Sequence, residues 1–398
     1  KLMNKLFADR VTDVPRSFIR EILKDALLPG TISFAGGLPN RELFPLEGIQ
    51  KATNKVFDTI GKDVLQYSNS EGYLPLREYI AAQYAKQGLS VPVESVLITS
   101  GSQQGLDLLG KTLINDNDGL IIEEPGYLGA IQAFSLYRPK FLPVPVTSAG
   151  MDLEKFKKSM NEGKPKLIYT VPNFQNPSGI TYPNKNREAI ANIVKDTKCL
   201  LIEDNPYGDL RFEGESQTSF KKLIPDNTIL LGSFSKTVVP GFRIGWIVAP
   251  SELMEKLIIA KQASDLHTNQ LSQCIIHQFL MDNDLNEHIK KITKSYGHQK
   301  NVMIECLEKY FPKEVTFTRP EGGMFLWATL PKGISALDLF QLSAKEKVLF
   351  VPGDPFYINN KGVNTLRLNY SCVDAETIEI GIKRLAQSIK LLIEKTID

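Results

Sequence analysis

Cysteine and histidine are scarce in this sequence: its 398 residues include only 4 of each. The cysteines are widely spaced and form no CxxC pair, which excludes the usual zinc motifs and makes a disulfide framework unexpected. Cys199 and Cys306 lie in apolar runs that are typical of buried positions. The histidines lie in helical-looking sequence without metal-ligand spacing. We therefore expect no metal site, and a reducing, cytoplasmic location.

Long apolar runs and an excess of one charge are also missing. No stretch of 18 apolar residues is present, and the first ten residues, KLMNKLFADR, lack the apolar segment of a signal peptide. We expect no membrane span. The 47 basic and 45 acidic side chains give a net charge of +2, too balanced to indicate nucleic acid or an anionic membrane as the main partner. An apolar content of 42% suffices for a sizeable core, and the length predicts two domains.

From about residue 95, short apolar runs alternate with helical patterns. The runs that read as strands are 95–100, 119–124, 166–172, 199–204, 228–233 and 244–249. Such an alternation predicts a largely parallel sheet with helices on both faces. In sheets of this kind, the loops at the carboxyl ends of the strands carry the ligands.

A second, smaller set of strands follows a mostly helical stretch that ends near residue 311. Its members are VTFTRP, GMFLWATL, VLFVPG and TLRLNYS, with helices near 335–347 and 375–395. We predict an α+β C-terminal domain. The predicted division is an N-terminal segment at 1–45 associated with the small domain and the active site, a large domain at 46–290, and a small domain at 291–398, with a helix as the connection.

The segment SFSKTVVPGFR, residues 233–243, follows one predicted strand and is rich in phosphate-binding groups. Ser233 and Ser235 offer hydroxyls, Arg243 offers a guanidinium, and Lys236 offers an amine. Hydroxyls and Arg bind phosphate, and an amine forms an imine with a carbonyl group. The segment therefore suits a phosphate with an aldehyde beside it. A solvated polar loop is the alternative.

Polar residues follow two neighbouring predicted strands. Asp204 ends an apolar strand, where a carboxylate needs a partner. A protonated pyridine nitrogen would be one, and Tyr207 could donate a hydrogen bond nearby; a helix cap or an ion pair is the alternative. In NFQNPSG, Asn176 could contact a ring oxygen or a carboxylate, although Asn-Pro-Ser-Gly is also ordinary turn sequence.

Two further segments indicate anion binding. SGSQQG, residues 100–105, joins a strand to a helix, whose N-terminal amides would form an anion site. Arg367 lies on a predicted strand between Leu366 and Leu368, which suggests a buried carboxylate partner for its guanidinium.

One match to a known motif is misleading. Residues 105–112, GLDLLGKT, fit the phosphate-loop pattern GxxxxGK[ST] of nucleotide-binding proteins. A phosphate loop must follow a strand directly and leave its amides free, whereas LDLL forms helices well and a helix is predicted to begin at about Ser102. An NTPase is therefore a weak alternative.

Together these segments resemble the fold-type I pyridoxal 5'-phosphate (PLP) aminotransferases. The similarity runs from about Arg16 to the C-terminus, and is strongest to the branch of 2-aminoadipate and kynurenine aminotransferases related to the aminotransferase-like half of MocR regulators. Its motifs, in order, are SFAGGLPNRELFP, QYSNSEGYLPLRE, TSGSQQGLDL, EEPGYLGAIQAF, NFQNPSG, EDNPYGDL, GSFSKTVVPGFRIGW, RPEGGMFLW and TLRLNYS. The resemblance implies an α/β fold whose large domain has a mostly parallel seven-stranded sheet.

The resemblance also implies a role for each matched residue. Lys236 would hold PLP as a Schiff base and then move the proton at the substrate Cα, while Asp204 would pair with the ring nitrogen. The ring would be contacted by Tyr207, Asn176 and Tyr127, and the phosphate by Ser102, Gln103, Ser233, Ser235 and Arg243. Tyr67 would reach the phosphate in the other subunit of a homodimer. Arg367, Asn176 and Gly37 would bind the substrate carboxylate.

These roles predict a transaminase with ping-pong kinetics, which moves the amino group of an L-amino acid to a 2-oxo acid such as 2-oxoglutarate. A PLP lyase or synthase would share the same residues. A PLP-sensing regulator would carry a DNA-binding domain, which we do not expect in this chain. Residues 15–24, PRSFIREILK, read as a helix whose Arg20 would contact the distal carboxylate of 2-aminoadipate or glutamate and turn outward for aromatic and branched-chain substrates. A solvated basic face is the alternative.

Overall fold

The computed structural model of the protein describes residues 2–14, 20, 28–359 and 361–397. The α-helices in this part of the chain are α1 (Asp9–Thr12), α2 (Leu46–Thr59), α3 (Leu74–Lys86), α4 (Ser102–Leu113), α5 (Leu128–Ser135), α6 (Leu153–Gly163), α7 (Asn184–Val194), α8 (Phe220–Leu223), α9 (Ser251–Ser264), α10 (Gln270–Asp282), α11 (Leu285–Tyr310), α12 (Ala336–Lys345) and α13 (Ala375–Ile397). The strands are β1 (Ile32–Ser33), β2 (Val96–Thr99), β3 (Gly119–Glu124), β4 (Lys140–Thr147), β5 (Gly150–Met151), β6 (Leu167–Thr170), β7 (Leu200–Asp204), β8 (Thr228–Ser233), β9 (Gly245–Val248), β10 (Thr316–Phe317), β11 (Phe325–Thr329), β12 (Val348–Leu349), β13 (Val351–Pro352) and β14 (Thr365–Asn369).

One large sheet has the strand order β2-β9-β8-β7-β6-β3-β4-β5. Strands β8, β7, β6, β3 and β4 run parallel to one another. Strand β9 runs antiparallel to both of its neighbours. Separate clusters of buried apolar side chains contain residues of alternating positions along these strands, such as Leu167 in one and Ile168 in another, so apolar layers cover both faces. The predicted α/β class with a mostly parallel sheet is confirmed.

The strand count differs from the predicted seven because β5 adds an eighth, two-residue strand antiparallel to β4. Strand β4 itself was not recognised in the apolar runs because it contains Pro143 and Pro145. Both prolines pair with residues of β3. Alternate residues of a strand point their N–H groups toward the same neighbouring strand, so Pro143 and Pro145 remove donors on one side of β4 only. The neighbour of β4 away from β3 is only the two-residue strand β5. That side of β4 is therefore almost a sheet edge, where proline is tolerated.

A smaller antiparallel sheet, β10-β11-β14-β13, lies in the C-terminal part of the chain, and β1 pairs with β12 in a separate two-stranded sheet. Helix α11 packs on α13, and α12 packs on α13 as well. This is the predicted α+β region. The predicted domain change near residue 290 falls inside α11, and the domain boundaries stay a prediction.

Several smaller expectations can be compared with the structure. All four cysteines are free; Cys199 and Cys306 are buried as predicted, together with Cys274, and Cys372 is exposed. Within the described ranges, no helix combines the length and the apolar character needed to cross a membrane. The predicted helix at 15–24 lies outside the described residues, apart from Arg20. The cytoplasmic location stays a prediction.

Candidate active site

A cavity of about 230 Å³ lies between the carboxyl ends of strands in the large sheet and strand β14 of the small sheet. It is lined by Gly37, Ser102, Gln103, Tyr127, Val171, Asn176, Asp204, Pro206, Tyr207, Ser233, Ser235, Lys236, Arg243 and Arg367. The structure therefore brings together all of the sequence-predicted site residues except Tyr67 and Arg20.

Strand β9 explains how distant segments meet at one end of this cavity. Because β9 is antiparallel to β2 and β8, its first residue, Gly245, is opposite both Thr99 and Ser233. The segments that leave the carboxyl ends of β2 and β8 thus lie side by side, with Arg243 two residues before the start of β9. A Cβ atom on Gly245 would lie 2.6 Å from the Ser102 nitrogen, so this close approach requires glycine.

The same end of the cavity is equipped for an anion. Helix α4 begins at Ser102, and neither a capping side chain nor an acidic residue occupies its first turn. Its first amides are therefore free to bind an anion, and the helix dipole favours one there. Gly101 has a φ of +81°, and a Cβ atom there would lie 2.3 Å from an Arg243 nitrogen. Ser233 Oγ accepts a hydrogen bond from the Ser235 amide at 2.9 Å.

The helical geometry of this segment also removes the phosphate-loop alternative. Residues 105–112, which fit the nucleotide-binding pattern, lie entirely inside α4. Their amides are used in the hydrogen bonds of the helix, so they cannot wrap a phosphate.

Asp204 is the last residue of β7 and is 3% exposed. Its Oδ2 accepts a hydrogen bond of 2.5 Å from the Tyr169 hydroxyl. Its Oδ1 is buried and has no partner among the described residues. Burial raises the pKa of Asp204 to about 7, and the Tyr169 hydrogen bond acts in the opposite direction. An unpaired buried carboxylate oxygen beside a cavity is a binding position for a cationic or N–H group.

Lys236 follows β8 and reaches the N-terminal segment of the chain. Its Nζ donates a hydrogen bond of 2.9 Å to the carbonyl oxygen of Gly37 and lies 5.9 Å from the centre of the Tyr207 ring. Burial and, to a smaller degree, the nearby cations Arg367 and Arg243 lower the pKa of Lys236 to about 8. About one tenth of this amine is therefore neutral, and hence nucleophilic, at pH 7, far more than for an ordinary lysine.

Arg367 lies on the central strand β14, opposite Trp327 on one side and Val351 on the other. It is 1% exposed, and it donates to Asn176 Oδ1 at 2.8 Å and to the carbonyl oxygen of Ala35 at 2.9 Å. Its guanidinium lies 4.3 Å from the centre of the Phe325 ring. Its Nε has no partner among the described residues. Burial lowers the pKa of Arg367 to about 10, so it remains charged and can bind an anion.

Aromatic and amide groups complete the walls. Asn176 Nδ2 lies 3.5 Å from the Tyr207 hydroxyl, to which it donates. Tyr127 immediately precedes α5, and its hydroxyl donates to Gln103 Oε1 at 3.3 Å. Gln103 in turn donates to the carbonyl oxygen of Gly129 at 2.8 Å. Burial raises the pKa of Tyr127 to about 12, so the phenol stays neutral and acts as a donor.

The segment 35–38 closes one side of the cavity through its main-chain carbonyl groups. The four carbonyl oxygens accept, in order, from Arg367, Asn369, Lys236 and Ser371. Residues 367, 369 and 371 alternate along β14 and its continuation, so one face of this strand holds the segment in place. Gly37 thus lines the cavity, and its carbonyl oxygen accepts from Lys236; its predicted contact with the substrate carboxylate stays a prediction.

Two predicted site residues lie elsewhere. Tyr67 is 80% exposed, and its ring meets the ring of His267 edge-on. Arg20 is exposed, and its neighbours in sequence lie outside the described residues. Neither lines the cavity in a single chain.

Sequence reasoning missed Val171 and Pro206, which line the cavity, and Tyr169, which lies behind it. It also missed Lys261, a fully buried lysine whose Nζ donates to Gln104, Asp265 and Thr268 and so supports the start of α4. Period-2 alternation along β6 was an available signal, because it places Tyr169 and Val171 on one face.

The residues present fit a phosphorylated pyridine aldehyde. An anion-binding helix end lies with Arg243 at one end of the cavity, and Asp204 presents an unpaired oxygen. Tyr127 offers an aromatic face, and Lys236 offers an amine of lowered pKa. Arg367 remains available for a second anion.

Comparison with known proteins gives consistent results. The family model described as aminotransferase class I and II matches residues 35–385. An aromatic-amino-acid aminotransferase of Thermococcus litoralis is 41% identical over 394 residues, which cover 97% of this chain and 94% of that protein. A 2-aminoadipate transaminase of Thermus thermophilus is 41% identical over 384 residues, which cover 96% of this chain and 95% of that protein.

Solved structures agree with these matches. The α-aminoadipate aminotransferase LysN of Thermus thermophilus, complexed with N-(5'-phosphopyridoxyl)-L-leucine, has a TM-score of 0.93 and 40% identity, with 99% of both chains covered. A multiple substrate aminotransferase of Thermococcus profundus has a TM-score of 0.92 and 37% identity, again with 99% of both chains covered.

Proposed function

This chain belongs to the aminotransferase class I and II family, and from that premise we propose a transaminase that acts on 2-aminoadipate, aromatic and branched-chain L-amino acids. It is a PLP-dependent enzyme. Its amino acceptor is a 2-oxo acid such as 2-oxoglutarate, and its two half-reactions follow a ping-pong scheme.

The proposed cofactor residues are those of the cavity. Ser102, Gln103, Ser233, Ser235 and Arg243 hold the phosphate, Tyr127 stacks on the ring, Asn176 and Tyr207 contact the ring hydroxyl, and Asp204 pairs with the ring nitrogen. The unpaired Oδ1 of Asp204 supports the last assignment, since a protonated ring nitrogen would supply the missing donor. When bound, PLP supplies an aldehyde carbon that amines attack and a ring that accepts electrons from the substrate Cα.

Lys236 has two proposed tasks. Its amine would hold the aldehyde carbon of PLP, which the lowered pKa of Lys236 favours. With substrate bound, the same amine would lie beside the substrate Cα and would move the proton there as general base and general acid. Asp204 keeps the ring nitrogen protonated, which sustains the ring's capacity to accept electrons.

The observation that carries the proposal is the position of Arg367. It is a buried, charged guanidinium with an unpaired Nε, held by Asn176 and Ala35 in the same cavity as Lys236 and Asp204. A carboxylate is its natural partner, because a guanidinium forks bidentately onto one. A substrate bound there by its α-carboxylate presents its amino group and Cα toward the centre of the cavity.

The proposed breadth of substrates rests on the relatives and on Arg20. One relative is named for aromatic amino acids, another for 2-aminoadipate, and a solved neighbour holds a leucine conjugate. Arg20 is the proposed contact for the distal carboxylate of acidic substrates. Its exposure within the single chain is compatible with a contact that is made only when such a substrate is present.

The proposed assembly is a homodimer in which Tyr67 reaches the phosphate of the partner's cofactor. The support is the surface around Tyr67: it is 80% exposed, Leu65 is 70% exposed and Leu266 is 43% exposed. Large apolar side chains exposed on one surface are typical of a subunit contact. Sedimentation of the active enzyme tests this, and an active monomer would exclude it.

The purified enzyme should absorb visible light near 400 nm, and it should transfer amino groups steadily from several amino acids to 2-oxoglutarate. Product analysis by mass spectrometry distinguishes this from a lyase or synthase, which would consume the amino acid without aminating the 2-oxo acid. Failure to form glutamate from 2-oxoglutarate with any donor of the three classes would refute the proposal.

A further inference from the structure

Tyr169 lies directly behind Asp204 and is fully buried. It pairs with Ile202 in the parallel register of β6 and β7. Side chains alternate between the faces of a sheet, so Ile202 and Asp204 share the face of Tyr169. This register brings the tyrosine hydroxyl within 2.5 Å of Asp204 Oδ2.

The contact divides the two oxygens of the carboxylate between two tasks. Oδ2 is held by Tyr169, whereas Oδ1, next to the cavity, has no partner in the part of the chain that the structure describes. A carboxylate on a side chain free to rotate would present its oxygens interchangeably; a single strong donor fixes which one faces the cavity. The hydroxyl also counteracts burial, which otherwise raises the pKa of Asp204.

We propose that Tyr169 is a positioning residue of the transaminase, which aims Asp204 Oδ1 at the cofactor ring nitrogen and keeps the carboxylate ionised. The proposal rests on the proposed pairing of Asp204 with that nitrogen. Tyr169 acts through Asp204 alone, since it does not line the cavity.

The chain contains a matched control on the other face of the same sheet. Tyr182 is also fully buried, and its hydroxyl also donates to a buried carboxylate, that of Glu123. Glu123 is 1% exposed and does not line the cavity. Burial raises the pKa of Glu123 to about 8. Tyr182→Phe therefore removes the same kind of bond at the same depth, but from a carboxylate that does not line the cavity.

The experiment compares Tyr169→Phe, Tyr182→Phe and Asp204→Asn after reconstitution with PLP labelled with ¹⁵N in the ring. The chemical shift of the ring nitrogen reports its protonation, and titration of the cofactor-free proteins gives the dissociation constant for PLP. Without its tyrosine donor Asp204 is more basic, so the shared proton moves from the ring toward the carboxylate. We expect the resonance of Tyr169→Phe to move toward the unprotonated value, and the affinity to fall on the order of tenfold.

Tyr182→Phe should keep the wild-type ring resonance and bind PLP within about twofold of the wild type, because its bond is to a carboxylate on the other face of the sheet, not to Asp204. Equal changes in both tyrosine variants would assign the effect to packing and overturn the proposal. A wild-type resonance in Tyr169→Phe would also overturn it, while the Asp204→Asn arm shows whether Asp204 itself pairs with the ring. A wild-type resonance in Asp204→Asn would instead reject the underlying role of Asp204.

A double-mutant cycle and a fluorinated tyrosine complete the experiment. In a double-mutant cycle, Tyr169→Phe should have no further effect on PLP affinity in the Asp204→Asn background if it acts only through this carboxylate. If Tyr169→Phe fails to fold, 3-fluorotyrosine at position 169 keeps the shape and strengthens the donor. Its ring resonance should then move toward the protonated value, and a shift in the other direction would contradict the proposal.

Discussion

Two cavities of this protein are lined by buried charges, but they differ in how those charges are paired. The candidate active site has a volume of about 230 Å³, and Asp204 and Arg367 each keep one polar atom there that has no partner among the described residues. A larger groove of about 460 Å³ lies around Arg187 and Glu203. In that groove all three nitrogens of Arg187 donate to protein oxygens. The single Ser219 hydroxyl lies 2.8 and 2.9 Å from the two oxygens of Glu203 and donates to this carboxylate.

Unpaired charge, rather than volume, distinguishes the candidate active site from the larger groove. A buried ion that is fully hydrogen-bonded stabilises its surroundings only as long as both partners remain, so Arg187 and Glu203 are structural. A buried ion with a free donor or acceptor is destabilising until a ligand completes it. Asp204 and Arg367 are in that state within the single chain.

The largest expected effect comes from Lys236→Ala. Without its amine, the enzyme should lose on the order of 10⁴-fold or more in kcat/KM, because proton transfer at the substrate Cα has no base. PLP should still bind noncovalently, with a changed visible spectrum. Lys222→Ala, in the larger groove, is the control and should be fully active. Wild-type turnover by Lys236→Ala would show that another group is the base.

Replacing the buried Arg187 should affect mainly stability, whereas replacing the buried Arg367 should affect mainly activity. Arg187→Met should lower the free energy of unfolding by about 3–5 kcal/mol, because it leaves buried oxygens unpaired, while the folded fraction keeps its activity. Arg367→Met should lower kcat/KM on the order of 10²-fold to 10³-fold and should destabilise the cofactor-free protein less. Denaturant unfolding and steady-state kinetics on both variants test this. The same pattern in both would remove the distinction between the cavities.

Replacing Asp204 by Asn should stabilise the cofactor-free protein, but it should weaken cofactor binding and catalysis in the loaded enzyme. Its pKa is about 7 in the folded protein against an ordinary 3.8. Between these values the folded state holds a proton that the unfolded state has lost, so the free energy of unfolding falls as pH rises toward 7. Cofactor-free Asp204→Asn should therefore match the wild type near pH 4 and exceed it by about 1–3 kcal/mol at pH 8.

Thermal melts of the cofactor-free proteins across this pH range measure the difference. The loaded Asp204→Asn enzyme should instead be the weaker binder and the slower catalyst. A pH-independent difference between the cofactor-free proteins would mean that Asp204 is already charged and paired without PLP.

The smallest expected effect is that of Arg20→Ala. If Arg20 completes the cavity only for acidic substrates, KM for 2-aminoadipate and glutamate should rise about tenfold, while KM for leucine and phenylalanine changes little. Competition between an acidic and an apolar donor gives the ratio of kcat/KM directly. Equal effects on both classes would leave Arg20 without a role in substrate selection.

The site residues that can be predicted from the sequence are charged side chains whose neighbours in sequence do not pair with them. Asp204 at the end of an apolar strand, Arg367 between two leucines and Lys236 among hydroxyls are each unexpected unless they have a partner, and this conflict is visible in the letters alone. Ligand sites in such sheets lie at the carboxyl ends of the strands, which predicts that these residues meet, and the structure places them in one cavity.

What the sequence did not predict depends on contacts between chain segments. Tyr169 in an apolar strand reads as a core residue, and only the register between β6 and β7 identifies its partner. Strand β4 was hidden by two prolines that are acceptable only because of its place near an edge. The role predicted for Tyr67 stays a prediction, because this residue lies on the surface of one chain and its contact requires a second copy.

Because of the position of strand β9, the proposed cofactor site is complete only in the fully folded chain. The proposed phosphate site takes its parts from either side of Gly245, and those parts are adjacent only after β9 has inserted between β2 and β8. A fragment or a partly folded chain that lacks this insertion has no such site. PLP would therefore select the finished molecule and stabilise it by mass action, by about 2.7 kcal/mol at a concentration one hundred times its dissociation constant. A cell short of PLP would then contain less folded enzyme, and a smaller part of that enzyme would be active.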